Sequence, residues 1–122
     1  MIAWKIVNKN RRSLSLHGNS KYCRTYEKDS IVKAAPKTLG LFCFKTEEAA
    51  EEYKALYTIS TWLIIQVDSG SSRGKKPKLV SDKLSDPWLD AFYSVPVKNR
   101  NGTDICYYFH DVICFPKVKV LT

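Results

Sequence analysis

Four basic side chains lie close together in a stretch whose composition is typical of an exposed loop. Residues 68–78 contain mostly Ser, Gly, Lys, Pro and Asp, which break regular structure. The cations of this stretch are Arg73, Lys75, Lys76 and Lys78. Guanidinium and ammonium groups contact phosphates and carboxylates, whereas a charged loop often only faces water. We expect an exposed, mobile loop and treat its four cations as candidate anion-binding residues.

The glycine spacing of this loop does not fit the phosphate-binding loop of nucleoside triphosphatases. Gly70 and Gly74 are separated by three residues where that motif has four. The motif also needs Ser or Thr after its lysine, but Lys76 and Pro77 follow Lys75 here. A nucleoside-triphosphatase loop is therefore not predicted.

A second basic group lies in the first third of the chain. Arg11 and Arg12 fall in a polar turn, and Arg24 alternates with Tyr22 and Tyr26. Guanidinium groups interleaved with aromatic rings can stack on a base and hold its phosphate. The alternative is that these tyrosines form half-buried sheet surface. We keep all five residues as candidates for ligand or anion binding.

No residue pattern indicates catalysis or metal binding. No Ser or Cys lies in a G-x-S-x-G nucleophile motif, and His110 and Asp111 would point to opposite faces of a strand. The chain contains four cysteines: Cys23, Cys43, Cys106 and Cys114. They form no C-x-x-C pair, so we expect reduced thiols and neither a metal nor a cofactor. The sequence predicts a protein that is not an enzyme.

The charge balance favours an anionic partner. The 122 residues carry 20 Lys+Arg against 12 Asp+Glu, a formal net charge of +8. Such a charge attracts nucleic acid, nucleotides or an acidic protein surface. The N-terminus MIAWKIVNKN lacks the long apolar region of a secretion signal, and the longest apolar run, 62–65, is far shorter than the roughly 20 residues that span a bilayer. We expect one domain over residues 1–122, in the cytoplasm and without a membrane contact.

The pattern of apolar residues predicts an α+β fold. Thr46 is a typical helix cap, and the apolar spacing after it predicts a helix over 47–57; a shorter helix is expected within 85–92. Segment 39–44 is expected to be a central strand and segment 117–121 an exposed sheet edge. The other predicted strands are 3–7, 13–16, 22–26, 31–34, 61–67, 95–97, 105–109 and 112–115. Without regular βαβ alternation, a mixed or antiparallel sheet of six to eight strands with one main helix on one face is the expected architecture.

We predict that these elements bury one hydrophobic core. Its members are Trp4, Ile6, Leu41, Cys43, Ala50, Tyr53, Leu63, Ile65, Cys106, Ile113 and Val120.

Two resemblances bear on function. The first half of the chain, from the Trp4-Lys5-Ile6-Val7 strand through the Ser13 turn and the Tyr26 strand to segment 39–49, is similar to small proteins of phages and other mobile elements. That resemblance implies inhibition of host defence in the host cytoplasm, either by occupying a nucleoprotein complex, as anti-CRISPR proteins do, or by sequestering a nucleotide signal.

The second resemblance supplies an enzymatic alternative. The order of His17, the 40–44 strand, the 47–57 helix and a late hairpin resembles the layout of ADP-ribosyltransferases, which implies an NAD-consuming enzyme with His17 in its pocket. The chain departs from that family's His, Tyr and Glu set: Phe42 and Phe44 stand at the tyrosine position, and the late strand offers Asp104 or Asp111 instead of glutamate. A non-enzymatic binder, this enzyme, and a nucleic-acid-binding accessory protein all remain open.

Overall fold

A six-stranded antiparallel sheet and two helices form an α+β fold, as predicted. The computed structural model describes residues 1–14, 16, 18–81, 83–104 and 111–122. Its strands are β1 Ile2–Val7, β2 Ile31–Lys33, β3 Leu41–Phe44, β4 Leu63–Asp68, β5 Leu79–Val80, β6 Thr103–Asp104, β7 Val112–Phe115 and β8 Lys117–Val120, and its helices are α1 Glu47–Tyr57 and α2 Asp86–Ser94. The order in the main sheet is β2-β8-β4-β1-β3-β7, and β5 and β6 form a separate pair.

The main sheet is strongly curled. Strand β7 is the last strand of the order and β8 is the second, yet only Pro116 separates them in sequence. In a flat sheet these positions would be about 19 Å apart, whereas two residues of chain span about 7 Å. The two ends of the sheet must therefore approach each other. Buried residues from both ends accordingly share one core, for example Leu41, Phe115, Val118 and Val32.

Helix α1 covers the outer side of the curl where β1 and β3 lie. Its bounds are those predicted, because the Thr46 hydroxyl accepts a hydrogen bond from the Ala49 N–H at 3.1 Å and caps the first turn. Ala49 and Ala50 are buried against Ile6 and Phe44. The helix therefore closes a second, smaller core on the face opposite the curl interior.

A lysine is enclosed inside the curl. Lys5 is 8% exposed, and its Nζ donates to the Phe42 carbonyl oxygen at 2.7 Å. Its ammonium also lies 5.1 Å from the centre of the Tyr26 ring. Burial of a charge is tolerated only where polar partners surround it, so this arrangement ties β1 to β3 and to the chain around Tyr26.

The first third of the chain departs from the prediction. The hairpin of 3–7 with 13–16 is reduced to an isolated bridge between Val7 and Ser13, and segment 22–26 forms only the bridge of Thr25 to Arg12. The Asn8 side chain accepts the N–H groups of residues 10 and 12, and Arg11 has φ 61°, in the left-handed region. These local hydrogen bonds compete with a strand ladder and hold a turn.

Other predictions about single elements were wrong. Strand β8 is not an edge, because it pairs with both β2 and β4. Leu63 is 40% exposed and does not belong to the core, although most of the other predicted core residues do. Residues 95–97 end α2 and begin a 3₁₀ turn, Val97–Asn99, instead of forming a hairpin arm. The other arm, 105–109, and Cys106 lie outside the described residues.

Candidate anion-binding surface

The segment around Lys75 extends the sheet beyond β7. The Lys75 N–H donates to the Cys114 carbonyl, and the Cys114 N–H donates to the Lys75 carbonyl, both at 2.8 Å. This antiparallel bridge covers part of an edge strand that would otherwise present free N–H and C=O groups. The backbone of the predicted loop is therefore hydrogen-bonded to the sheet.

Two further residues hold the same segment in place. A Cβ atom at Gly74 would collide with the side chains of Ile113 and Phe115, so the glycine allows a close approach to the curl. Pro77 is buried. The expected loop therefore has one backbone attachment that the sequence did not predict, at Lys75 on the sheet edge.

The four cations of this segment remain directed to solvent. We call Arg73, Lys75, Lys76 and Lys78 the basic ridge. All four are exposed, and none makes a side-chain hydrogen bond or ion pair with the residues that the structure describes. The structure thus presents the predicted candidates together, on a backbone more ordered than the sequence suggested.

The arginines of the second candidate group serve the fold. Arg11 donates from Nε to the Tyr26 carbonyl at 2.7 Å and from Nη2 to the Thr122 carbonyl at 3.1 Å. Arg24 donates from Nε to the Lys33 carbonyl at 2.8 Å and from Nη1 to the Lys21 carbonyl at 2.6 Å. At least two of the five N–H groups of each guanidinium are therefore bound to backbone carbonyls within the fold. Arg12 is exposed.

The two tyrosines do not form the expected stacking surface. Tyr26 is 1% exposed and belongs to the core, so no face of its ring is open to a base. Tyr22 donates from its hydroxyl to Asp90 Oδ1 at 2.5 Å and contacts the Tyr93 ring, with 5.9 Å between centroids. Partial burial and the Asp90 carboxylate raise the pKa of Tyr22. Alternation in sequence did not place these rings together, because segment 22–26 is not a strand.

Sequence reasoning missed a second group of exposed cations. The solvent-facing side of the sheet carries Lys33 on β2 and Lys117 and Lys119 on β8. The neighbouring residues Val32 and Val118 point the other way and are buried. The alternation Lys117-Val118-Lys119-Val120 was a sufficient signal for one charged face. Nothing in the sequence showed that β2 would add its own lysine beside it.

Few of the residues that would test the enzymatic alternative are among those that the structure describes. His17 and His110 lie outside the described residues. Phe42 and Phe44 pack in the core beneath α1, and Asp111 is exposed in a turn with φ 58°. The ADP-ribosyltransferase layout stays a prediction.

The remaining surface of the described part of the chain offers little for an anion. A depression along α1 is lined by Glu47, Glu48, Glu51 and Glu52. Within the described residues, no cluster of His, Cys, Asp or Glu has the arrangement of a metal site. No helix in the described ranges is long and apolar enough to cross a membrane.

Comparison with known proteins gives no relative: no protein family, curated protein or solved structure matches this chain.

Proposed function

We propose that this protein is a non-enzymatic binder of nucleic acid that holds the phosphate backbone with its basic ridge. The observation that carries the proposal is the docking of Lys75 on Cys114, which presents four exposed cations on a hydrogen-bonded backbone. From Arg73 to Lys78 the chain spans at most about 17 Å, a length that covers several successive phosphates of one strand.

The docked backbone matters for affinity. Ordering a free loop on binding costs about 1–2 kcal/mol per residue in backbone entropy alone. Residues 74–77 are already held by the Lys75 bridge, the close packing of Gly74 and the burial of Pro77. A phosphate chain would therefore meet cations whose positions are restricted before it binds.

The distribution of acidic residues supports the same surface. No Asp or Glu occurs in residues 69–81, around the ridge. Four of the twelve acidic residues lie on α1, and Asp86 and Asp90 accept hydrogen bonds from Ser20 and Tyr22. The four ridge cations therefore have no acidic residue within their own segment, which favours a polyanion at the ridge.

The salt dependence of binding tests this proposal. Affinity for single- and double-stranded DNA oligonucleotides would be measured by fluorescence anisotropy from about 50 to 200 mM salt, where phosphate contacts dominate the response. The ridge variant replaces Arg73, Lys75, Lys76 and Lys78 by Ala. The control variant removes four charges elsewhere, with Lys9, Lys28, Lys54 and Lys98 changed to Ala.

The ridge variant should bind more weakly than the control, and its log–log slope should be shallower by about 0.7–0.9 for each phosphate interaction that the substitutions remove. An equal decrease in affinity in both variants would mean that net charge alone attracts DNA. If wild type binds no oligonucleotide but captures an acidic protein through the ridge, the proposal of nucleic acid is wrong.

A further inference from the structure

Two lysines face each other directly across neighbouring strands. The antiparallel register of β2 and β8 pairs Lys33 with Lys117, and both side chains are exposed on the outer face of the sheet. Residues paired in this way have Cβ atoms about 4.5–5.5 Å apart. Like charges at this separation repel, so the pair opposes the pairing of the strands that carry it.

The charge of this pair is not balanced locally. In the register of β4 and β8, Lys119 on the same face lies opposite Asp68. The pKa of the Asp68 carboxyl is lowered by the Gly70 N–H, by the N-terminal ammonium and, to a smaller extent, by the charge of Lys119. By contrast, neither Lys33 nor Lys117 forms an ion pair with the residues that the structure describes. Arg24 adds a third positive charge beside the pair, because its Nε donates to the Lys33 carbonyl.

The pair lies next to the bend at Pro116, the residue that connects β7 with β8. Lys117 follows Pro116 directly, and the Ala34 N–H, next to Lys33, donates to the Pro116 carbonyl at 2.8 Å. The antiparallel bridge of Lys75 to Cys114 directs the chain before Lys75, which carries Arg73 two residues earlier, toward Pro116. The ridge therefore runs toward the bend from one side, and the lysine pair adjoins it on the other.

The exposed Lys37 adds a cation to the same corner. It lies in the turn between Ala34 and Gly40 that crosses the bend, and a Cβ at Gly40 would lie 2.8 Å from the Phe115 carbonyl oxygen. Gly40 also has φ 112°, so glycine is required for this turn to pack so closely. The turn that carries Lys37 is thus packed against Phe115, the residue before Pro116.

We propose that Lys33 and Lys117 together bind one phosphate group of the nucleic acid strand that lies along the basic ridge, so that the strand follows the surface around Pro116. This inference rests on the proposed function. Two ammonium groups that repel each other in the free protein would share a phosphate in the complex, where the repulsion is relieved.

A paired variant and a matched control test the site. Lys33→Gln with Lys117→Gln removes the pair, and Lys119→Gln removes one charge of the same face that already has Asp68 beside it. Both would be made in the wild-type and in the ridge-variant backgrounds. Single-stranded DNA affinity across salt and the thermal midpoint without DNA would be measured for each.

The paired variant should bind single-stranded DNA less tightly, with a log–log salt slope shallower by about 0.7, the value for the one phosphate interaction that the pair shares. Its thermal midpoint without DNA should rise, because a repulsion is removed, whereas Lys119→Gln should show no such rise. A lower midpoint would overturn the account of an unbalanced pair.

Three results decide between this inference and the proposed function. If the ridge variant loses binding but the paired variant binds as wild type, the ridge stands and the lysine pair is no site. If neither the ridge nor the pair changes DNA binding, both are overturned. A loss of affinity in Lys119→Gln as large as half that of the paired variant would show a diffuse charge effect and overturn the pair as a site.

Discussion

Replacement of Gly74 by Ala tests the docking of the basic ridge. The φ angle of Gly74 is not in the left-handed region, so alanine costs no backbone strain there. Its Cβ would, however, collide with Ile113 and Phe115, which are 8% and 0% exposed. These side chains are part of the core and have little room to move.

The variant can lose stability by either of two routes. Overpacking a core typically costs about 1–3 kcal/mol. The segment can escape the collision by undocking, which gives up two backbone hydrogen bonds worth about 0.5–1.5 kcal/mol each. Since the two routes cost about the same, the variant should lose about 1–3 kcal/mol and populate the undocked state. DNA affinity should fall in proportion to the docked fraction.

Urea unfolding and amide hydrogen exchange measure both consequences. The Lys75 and Cys114 amides should exchange faster in Gly74→Ala than in wild type. Gly70→Ala is the comparator in the same loop: nothing lies within 4 Å of its Cβ position, but φ is +60°. It should cost about 1–2 kcal/mol through backbone strain and leave the Lys75 amide protected. Unchanged stability and unchanged Lys75 exchange in Gly74→Ala would refute the docked arrangement.

Two other perturbations probe the contacts that organise the first third of the chain. Tyr26→Phe removes the hydroxyl of a buried ring whose centre lies 5.1 Å from the Lys5 ammonium, and should cost about 1–3 kcal/mol in urea unfolding because the buried charge loses a polar neighbour. The added change Lys5→Met should recover part of this stability by removing the buried charge, and strict additivity of the two changes would contradict a coupling between the residues. Hydrogen bonds from Lys21 and Tyr22 lower the pKa of Asp90 below its ordinary 3.8, so the contact of this segment with α2 should persist above about pH 4 and weaken as the pH falls through the lowered pKa. The near-ultraviolet circular dichroism of the tyrosines should report that change in wild type but not in Asp90→Asn, and an identical titration in both proteins would contradict it.

The sequence predicted best what local interactions decide. Helix α1 has its predicted bounds because the Thr46 cap and the apolar spacing act within a few residues of the backbone they stabilise. Whether β8 is an edge strand or an interior strand could not be predicted from local interactions. Its alternating lysines indicate one solvent-facing side, which an edge strand and an interior strand of a one-sided sheet both have. Only the curl, which depends on pairing between distant segments, places β8 between β2 and β4.

The candidate site shows the same division. Composition correctly marked the exposed side chains of the ridge, because Gly, Ser, Lys and Pro together favour solvent. It did not reveal that the backbone beneath them pairs with β7, since one bridge to Cys114 leaves no periodic pattern in the sequence. Arg11 and Arg24 were chosen for their charge, but their guanidinium groups donate to backbone carbonyls within the fold, and Tyr26 is buried. Charge can be counted from a sequence, whereas the availability of a donor depends on tertiary contacts.

The two basic surfaces differ in what they cost the fold, and this difference bears on function. The ridge side chains are exposed on a segment that helps to cover the sheet edge, so their charge can be removed with little effect on stability. Lys33 and Lys117 instead repel each other across two paired strands. Such a pair lowers stability in the free protein and is expected where binding requires the charge, since functional sites often retain locally unfavourable residues. We therefore expect the paired variant to be more stable than wild type and to bind DNA more weakly. A purely structural role for the two lysines would not produce both changes together.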